Sequence, residues 1–400
     1  LVLLREEGTR IAERWLHEAR AARDTARFAL PPSLAHLGPG DVVALAGARW
    51  RLDRVEDAGA RRVEAARVEP GTWEPVEAPD APPPPRAFRA PAPVQAVFLD
   101  LPLLRGDEAP HAPHVAFSAS RWPGAVKFRH SDQDDGYRLA LDVAAPATIG
   151  TTLTALPRAP AGAWDRGPAL RVRLVRGALA SAGQARVLSG ASAAAIGDGT
   201  GDLWEVFQFA EAELVAPSTY DLRLRLRGQA GTDGVAPADW PAGSRFVLLD
   251  REVRQWDYPP AWRGLLRHYR WGPAGRPSSD PSWRHREAAF AGVGLRPYGV
   301  CHLRARPSGG DILVSWIRRT RFDGDAWGPT EVPLGEAREA YLLRVTRAGT
   351  LLREEEAGAP LWAYTAAMRA ADGPGPATVA VAQLSERWGP GPFRSLGLVA

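Results

Sequence analysis

Acidic residues crowd the stretch SDQDDGYR beginning at Ser131, the first place in this chain where side chains could do chemistry. Three carboxylates so close suggest a calcium loop, but a hand-type loop needs a further acid near its end, and Val143 stands there instead of Glu. A hairpin turn accounts for the same residues. His111 and His114 have a metal-like interval, yet Pro110 and Pro113 surround them and no cysteine follows, which favours a solvated loop. GASAA at 190–194 has the outline of a nucleophile elbow, with Ala194 where the last glycine belongs and no strand-to-helix pattern after it. Gly197, Gly199 and Gly201 lack the lysine of a phosphate-binding loop.

One carboxylate pair remains. Asp323 and Asp325 lie in RFDGDAWG beside Trp327, and an aspartate next to an aromatic ring is a common way to hold a sugar. A turn with Gly324 at positive φ explains the same residues. These three are the candidate surface or sugar contacts. Arg318, Arg319 and Arg321 near Trp316 could form a nucleic-acid surface, but alternating strand faces explain them better. The chemistry-bearing residues therefore leave catalytic, cofactor and metal sites all unassigned. The chain is read as a non-enzyme without a cofactor.

Composition bounds the rest. Four hundred residues imply two to four domains, and no uncharged run is long enough to span a membrane as a helix. The chain begins at Leu1 without a signal-peptide pattern, so it is expected either to start inside something longer or to have lost its beginning. The single cysteine, Cys301, excludes an intrachain disulfide, and its apolar neighbours suggest a small buried side chain. Formal charge is only +4, and Lys127 is the one lysine among 50 basic residues. Bases are spread along the chain and mixed with acids, unlike a nucleic-acid footprint. Forty glycines and 37 prolines point to many turns and a β-rich fold.

The elements that must position these residues are mostly strands. Arg5–Arg27 predicts a helix with Ile11, Trp15, Leu16 and Ala19 near helical spacing, followed by an extended Arg27–Leu30 and a stop at Pro31-Pro32. Short strands are expected at Val42–Leu45, Trp50–Val55 and Arg62–Val68. Residues 1–75 form this first segment and 76–93 a proline-rich linker. A central antiparallel β domain is expected over 94–252. Its clearest strand begins YDLRLRLRG, with Tyr220, Leu222, Leu224 and Leu226 on one face and Asp221, Arg223, Arg225 and Arg227 on the other. A slip of one residue would bury those charges. Residues 253–300 read as an irregular, aromatic-rich connector. Residues 301–400 read as a β-sandwich, with Trp316 and Tyr341 in its core and LWAYTAAM among its strands.

Several phrases together resemble a known family. LPPSLAHLGPGDVVALAGARWRLDRVEDAGARRVEAARVEP, VFLDLPLL, SRWPGAVKFRHSDQDDGYR, LWEVFQFAEAELVAPSTYDLRLRLRGQAGTDG, GGDILVSWIRRTRFDGDAWGPTEVPLGEAREAYLLRV and VAQLSERWGPG are similar to the tail-tip hub, host-specificity-type proteins of siphophage tails and gene transfer agents. One departure is LRLRLRG, where the family more often has paired leucines. The resemblance implies a mainly β, multi-domain virion structural protein at the tail tip or baseplate, with 1–75 the end of a hub domain and 301–400 a fibronectin type III-like sandwich. It further implies a homotrimer around the tail axis, closing the tube and contributing to cell attachment and DNA delivery. Distal tail and hub proteins, a tail fibre and the recipient cell surface would be its partners, without specific nucleic-acid binding. Family chains can carry a glycosidase-like barrel upstream, an activity that does not transfer to these residues. The competing expectation is a cell-surface carbohydrate-binding or carbohydrate-degrading β-protein, resting on the Trp and Asp content of 316–327.

Overall fold

The structure is a computed structural model of the 400-residue chain, and it describes residues 5–73, 93–199, 203–322, 324 and 332–398. Two compact units divide it, Leu1–Phe88 and Arg89–Ala400. The fold is mainly β, in several sheets, with a helix near the N-terminus.

In the first unit, helix α1 spans Arg5–Ala21. It ends six residues before the expected Arg27, because TARFAL alternates and becomes strand β1 (Thr25–Leu30). β2 (Val42–Leu45), β3 (Ala48–Asp57) and β4 (Arg61–Val68) complete an antiparallel sheet in the order β1-β4-β3-β2. Its core is small: Leu30, Leu52, Val63 and Ala65, flanked by half-buried Phe28, Val43, Trp50 and Val55. The expected apolar stripe of α1 does not join this core. Ile11, Trp15 and Leu16 are 55%, 69% and 62% exposed.

The second unit begins with β5 (Gln95–Leu99), β6 (His114–Ser118), β7 (Val126–Ser131) and β8 (Arg138–Val143). β5 and β6 are buried on both faces, which is why they read as nearly continuous apolar runs. Next come β9 (Ile149–Thr152), β10 (Leu156–Pro157), β11 (Trp164–Asp165), β12 (Leu170–Leu174), the short helix α2 (Gln184–Leu188), β13 (Ala193–Gly197), β14 (Trp204–Ala216), β15 (Thr219–Gln229), β16 (Asp239–Trp240) and β17 (Arg245–Leu248). The pairings run β15-β12-β9-β17-β13-β14, and β14 pairs β15 again, so these strands close into an antiparallel barrel. Closure removes the sheet edges that would otherwise invite another chain. Leu170, Val172, Ile196, Phe207, Phe209, Tyr220, Leu222 and Phe246 fill the interior. Outside, Ile149, Ala195, Trp204, Val206 and Val247 pack on Val97, Leu99 and Ala116 of β5 and β6.

The expected connector at 253–300 is instead part of a core. β18 (Arg254–Gln255) pairs with β6, β19 (Arg267–Pro273) pairs with β7, and β20 (Arg284–Ala288) pairs with β19. Trp256, Tyr258, Tyr269, Trp271 and Phe290 meet Phe98, Phe117 and Phe128 between two small sheets. Phe128 stacks on Tyr269 with centroids 5.6 Å apart, and Trp256 meets Phe128 edge-on at 5.1 Å. The central β region is thus two bodies, and the chain returns to finish the first after completing the barrel.

The last module contains β21 (Cys301–Ser308), β22 (Asp311–Ile317), β23 (Tyr341–Arg347), β24 (Thr350–Ala357), β25 (Leu361–Tyr364), helix α3 (Ala366–Asp372), β26 (Ala377–Ser385), β27 (Gly389–Pro390) and β28 (Arg394–Leu398). One sheet is β21-β22-β25; the other holds β24-β23-β26, with β27 and β28 on β26. Val314, Trp316, Tyr341, Leu343, Val345, Val379 and Val381 lie between them as a sandwich core. The strand expected in LWAYTAAM stops at Tyr364, because the Thr365 side chain accepts from the Met368 backbone N–H at 3.2 Å and caps α3. Cys301 is half-buried at the start of β21, so the expected burial is only partial.

Trp316 is 4% exposed and meets Tyr341 at 5.0 Å, edge to face. Trp316→Ala is therefore expected to destabilise the sandwich by about 3–5 kcal/mol. Ile317→Ala, at a neighbour 55% exposed, should stay within about 0.5 kcal/mol of the parent. Calorimetric melting of both variants checks the pair; equal transitions would remove Trp316 from the core.

Candidate functional site

The strand YDLRLRLRG does not keep its alternation. Tyr220 and Leu222 face the barrel core as expected, but Leu224 adopts φ +48°, a left-handed conformation unusual for a branched side chain. Beyond it the faces exchange. Arg225 stands opposite Phe209, an interior residue, while Leu226 packs outside against Val187 and Ala210. Arg225 and Arg227, expected on the solvent side, are each 1% exposed. The charges are buried by this change of facing at Leu224, while the β14–β15 register is kept across it.

Burial is tolerable because each charge is matched. Arg227 donates from Nε and Nη2 to the two carboxylate oxygens of Glu205 at 2.7 and 2.8 Å, and from Nη1 to the Pro157 carbonyl at 2.7 Å. Glu205, itself 1% exposed, also accepts from the Trp240 indole at 2.7 Å and the Gly228 backbone at 3.1 Å. Arg225 donates from Nε to Asp165 at 3.0 Å, and from Nη1 to the carbonyls of Pro168 and Leu222 at 2.9 and 2.8 Å. Burial pushes the Arg225 guanidinium below its ordinary pKa, with Asp165 opposing. Burial alone would raise Asp165; the Gly167 backbone N–H, which donates to it at 2.9 Å, and the two arginines more than reverse this and hold it below the usual carboxylate range. Such two-point arginine–carboxylate pairing is the strong, orienting kind. It spends the carboxylate lone pairs on structure.

From this network the chain runs directly into a junction. Gly228 (φ +62°) and Gly231 (φ +74°) turn the strand end, and a Cβ at Gly231 would lie 2.3 Å from the Tyr298 ring. Only glycine fits both the conformation and the contact. The turn presents Asp233, 8% exposed, to the sandwich. Arg319 donates to its carboxylate at 3.0 and 3.3 Å, and Arg394 pairs with the same group. Arg158 holds the Asp233 carbonyl at 2.9 Å from the barrel side. Arg319 is fixed in turn by paired backbone bonds with the Gln383 side chain at 2.7 and 2.8 Å. Barrel and sandwich are thereby joined through one buried carboxylate.

Other residues singled out in the sequence take structural places. Asp323, Asp325 and Trp327 lie outside the described residues, as does Gly201. Gly197 sits against the Trp204 ring. GASAA runs into β13, a strand of the barrel wall, and not into a helix. Strand β22 ends at Ile317, so alternating faces do not explain the arginines after it. Arg318 donates to the carbonyls of Val332 and Pro333, and Arg321 pairs with Glu336 at 2.6 Å. His111 is partly buried, and His114 is not in a solvated loop: it lies on β6, 5% exposed, with burial lowering its pKa to about 4. It borders a cavity of about 610 Å³ that also meets Arg105, Glu108, Asp250 and Gln255. The network was missed because its partners, Asp165, Glu205 and Trp240, are scattered over 76 residues of sequence spacing that carries no motif; the two glycines after LRLRLR were the available signal.

Two family models match parts of the chain. Residues 147–247, the barrel, match a family described as Rcc01698-like, C-terminal, and residues 1–55 match one described as putative phage tail protein. The N-terminal end of the chain is thus similar to a phage tail family. No curated protein matches. Among solved structures, the extracellular region of rat CD45, domains d3–d4, is 14% identical over 30% of this chain and 55% of that one, with a TM-score of 0.20. That likeness is too slight to argue from.

Two outcomes follow from the site. Arg227→Met leaves Glu205 buried without its fork and should cost about 3–5 kcal/mol, with Arg227→Lys recovering only part. Calorimetry of the full chain reads this as a downward shift of the barrel transition; an unshifted transition would make the network energetically idle. His114, neutral when folded, has a folded pKa below its unfolded value of about 6.5. Its contribution is therefore intact above pH 6.5 and is lost as pH falls toward 4, by on the order of 3 kcal/mol. Denaturant titrations at pH 7, 5.5 and 4 should show that slope in the parent and a shallower one in His114→Gln.

Proposed function

We propose that this chain is a structural component of a phage-like tail tip or baseplate, akin to the C-terminal portion of the gene transfer agent baseplate megatron protein. The observation that carries this reading is the phage tail match over residues 1–55, followed within the same chain by the barrel match over 147–247. The architecture suits the task. A closed barrel, an aromatic-cored double sheet and a sandwich form one unit, the first two joined by apolar packing and the barrel to the sandwich by the Arg319–Asp233 pair. In this reading the chain is a virion protein without an enzymatic role. It assembles as a homotrimer around the tail axis, contacts distal tail, hub and fibre proteins, and presents its sandwich toward the recipient cell during attachment and DNA delivery.

Closed rotational symmetry with one chain type requires each copy to offer two different, complementary patches. The exposed Ile11, Trp15 and Leu16 of α1 supply apolar surface of the kind such contacts bury. Cryo-electron microscopy of particles carrying this chain tests the proposal. Three copies are expected on the axis at the tail end, with residues 1–75 near it and 301–400 farther out. Six copies, a sandwich lying inside the tube wall, or particles whose tails lack the chain would overturn it.

A further inference from the structure

The outer face of the sheet β20-β19-β7-β8 carries a cluster that the tail reading does not use. Tyr269 and Trp271 of β19 point into the aromatic core, so His268 and Arg270 point the other way. In the register of the hairpin, His268 stands opposite Glu287 and Arg270 opposite His285, which puts the two histidines on one diagonal of the same face. Their rings lie nearly parallel, 12° apart, and His268 Nδ1 is 3.2 Å from His285 Nε2. Asp134, from the turn joining β7 to β8, brings Oδ1 to 3.9 Å from the same His285 nitrogen. Glu287 Oε1 is 3.6 Å from His268 Nδ1. One donor atom from each of Asp134, His268 and His285 lies within 4.8 Å of the others.

We propose that Asp134, His268 and His285, with Glu287 beside them, bind a zinc-class divalent cation that ties the β7–β8 turn to the β19–β20 hairpin. Two imidazole nitrogens bound to one zinc ion at about 2.0–2.1 Å in a tetrahedral arrangement stand roughly 3.3 Å apart. The observed 3.2 Å separation of the two nitrogens matches that spacing, and the Asp134 oxygen, 3.9 Å from His285 Nε2, must draw in by a few tenths of an ångström or more. Two imidazoles and a carboxylate select zinc, nickel, copper or iron over calcium and magnesium, which prefer oxygen alone. The carboxylate is already oriented: Tyr137 donates its hydroxyl to Asp134 Oδ1, and Arg270 Nη2 lies 3.1 Å from it. Partners of this kind around a ligand hold its geometry. Arg270 opposes an incoming dication, and the two carboxylates offset it.

The acidic run at Ser131 fails as a calcium loop by its own spacing, yet one of its members is drawn to histidines more than 130 residues away. Only the pairing of β7 with β19 makes the set. The alternative is an imidazole–imidazole hydrogen bond beside an ordinary Arg270–Asp134 ion pair, and metal titration separates the two. The full chain, untagged and stripped with a chelator, is titrated with Co²⁺ followed by visible absorption, and with Zn²⁺ by calorimetry. One equivalent should bind, cobalt should be displaced by zinc, and zinc should raise the melting temperature. His268→Ala and His285→Ala should lose the saturable signal, while His17→Ala, in the other unit, keeps it. His285→Gln, checked for native circular dichroism, guards against loss through misfolding. A parent that binds no stoichiometric metal, or binding undiminished in the His268 and His285 variants, overturns the site.

Discussion

The structure of the second unit depends on the pairing of Arg227 with Glu205 inside the barrel. Two full charges removed from water cost several kcal/mol each unless the geometry is near ideal and every remaining donor and acceptor is satisfied. Here the fork is two-pointed, and the leftover valences reach Trp240, Gly228 and Pro157, which belong to three separate segments. Breaking any one contact leaves a charge partly unmatched, so the segments are bound to one arrangement. An apolar plug of the same volume could stabilise equally well, but it would not dictate which strands meet. Arg225 with Asp165 repeats the device two residues earlier, fixing β11 against β15.

The same strand end sets the position of the sandwich. Arg227 is followed at once by Gly228, whose positive φ starts the turn, and six residues after Arg227 the chain reaches Asp233. A carboxylate held by Arg319 and Arg394 on one side, with its own backbone held by Arg158 on the other, transmits orientation between the bodies. The close approach of Gly231 to Tyr298, and of Gly234 to Pro392, leaves no room for a hinge at this contact. Trp204 and Val206, facing outward on β14, meet Val97, Leu99 and Ala116 of β5 and β6. The aromatic-cored body and the sandwich therefore both contact the barrel or its turn, and the barrel is their common reference.

Alternation made most strands legible. β12 shows buried Leu170, Val172 and Leu174 between exposed Arg171 and Arg173, as period two demands. β15 showed where that reading fails: residue types give the period, but a single residue at positive φ shifts its phase, and Leu224 carries no mark of doing so. Once shifted, arginines expected in water were buried against acids whose distance in sequence hid them. The aromatic segment 253–297 failed for a related reason. Its strands pair with β6 and β7, laid down about 140 residues earlier, and their short length gives no local pattern without those partners. Helix α1 was visible by spacing, but its end was not, since TARFAL serves a strand only because β4 is there to pair. Of the candidate site, the sugar-contact set Asp323, Asp325 and Trp327 lies outside the described residues, and the ionic network went unseen.

The two units differ in how well each satisfies itself, and this difference bears on assembly. The second closes its largest sheet, buries its charges in pairs and fills its core with interlocked rings. The first, among its described residues, rests on a small core around Leu30, Leu52, Val63 and Ala65 and turns Ile11, Trp15 and Leu16 outward. At roughly 25 cal/mol per Å² of apolar surface, covering side chains of that size gains about 1.5–3 kcal/mol each, a large sum against so small a core. A surface of this kind gains most from a contact outside its own fold. The proposed tail assembly would supply it, with the first unit making contacts and the second, already complete, holding shape.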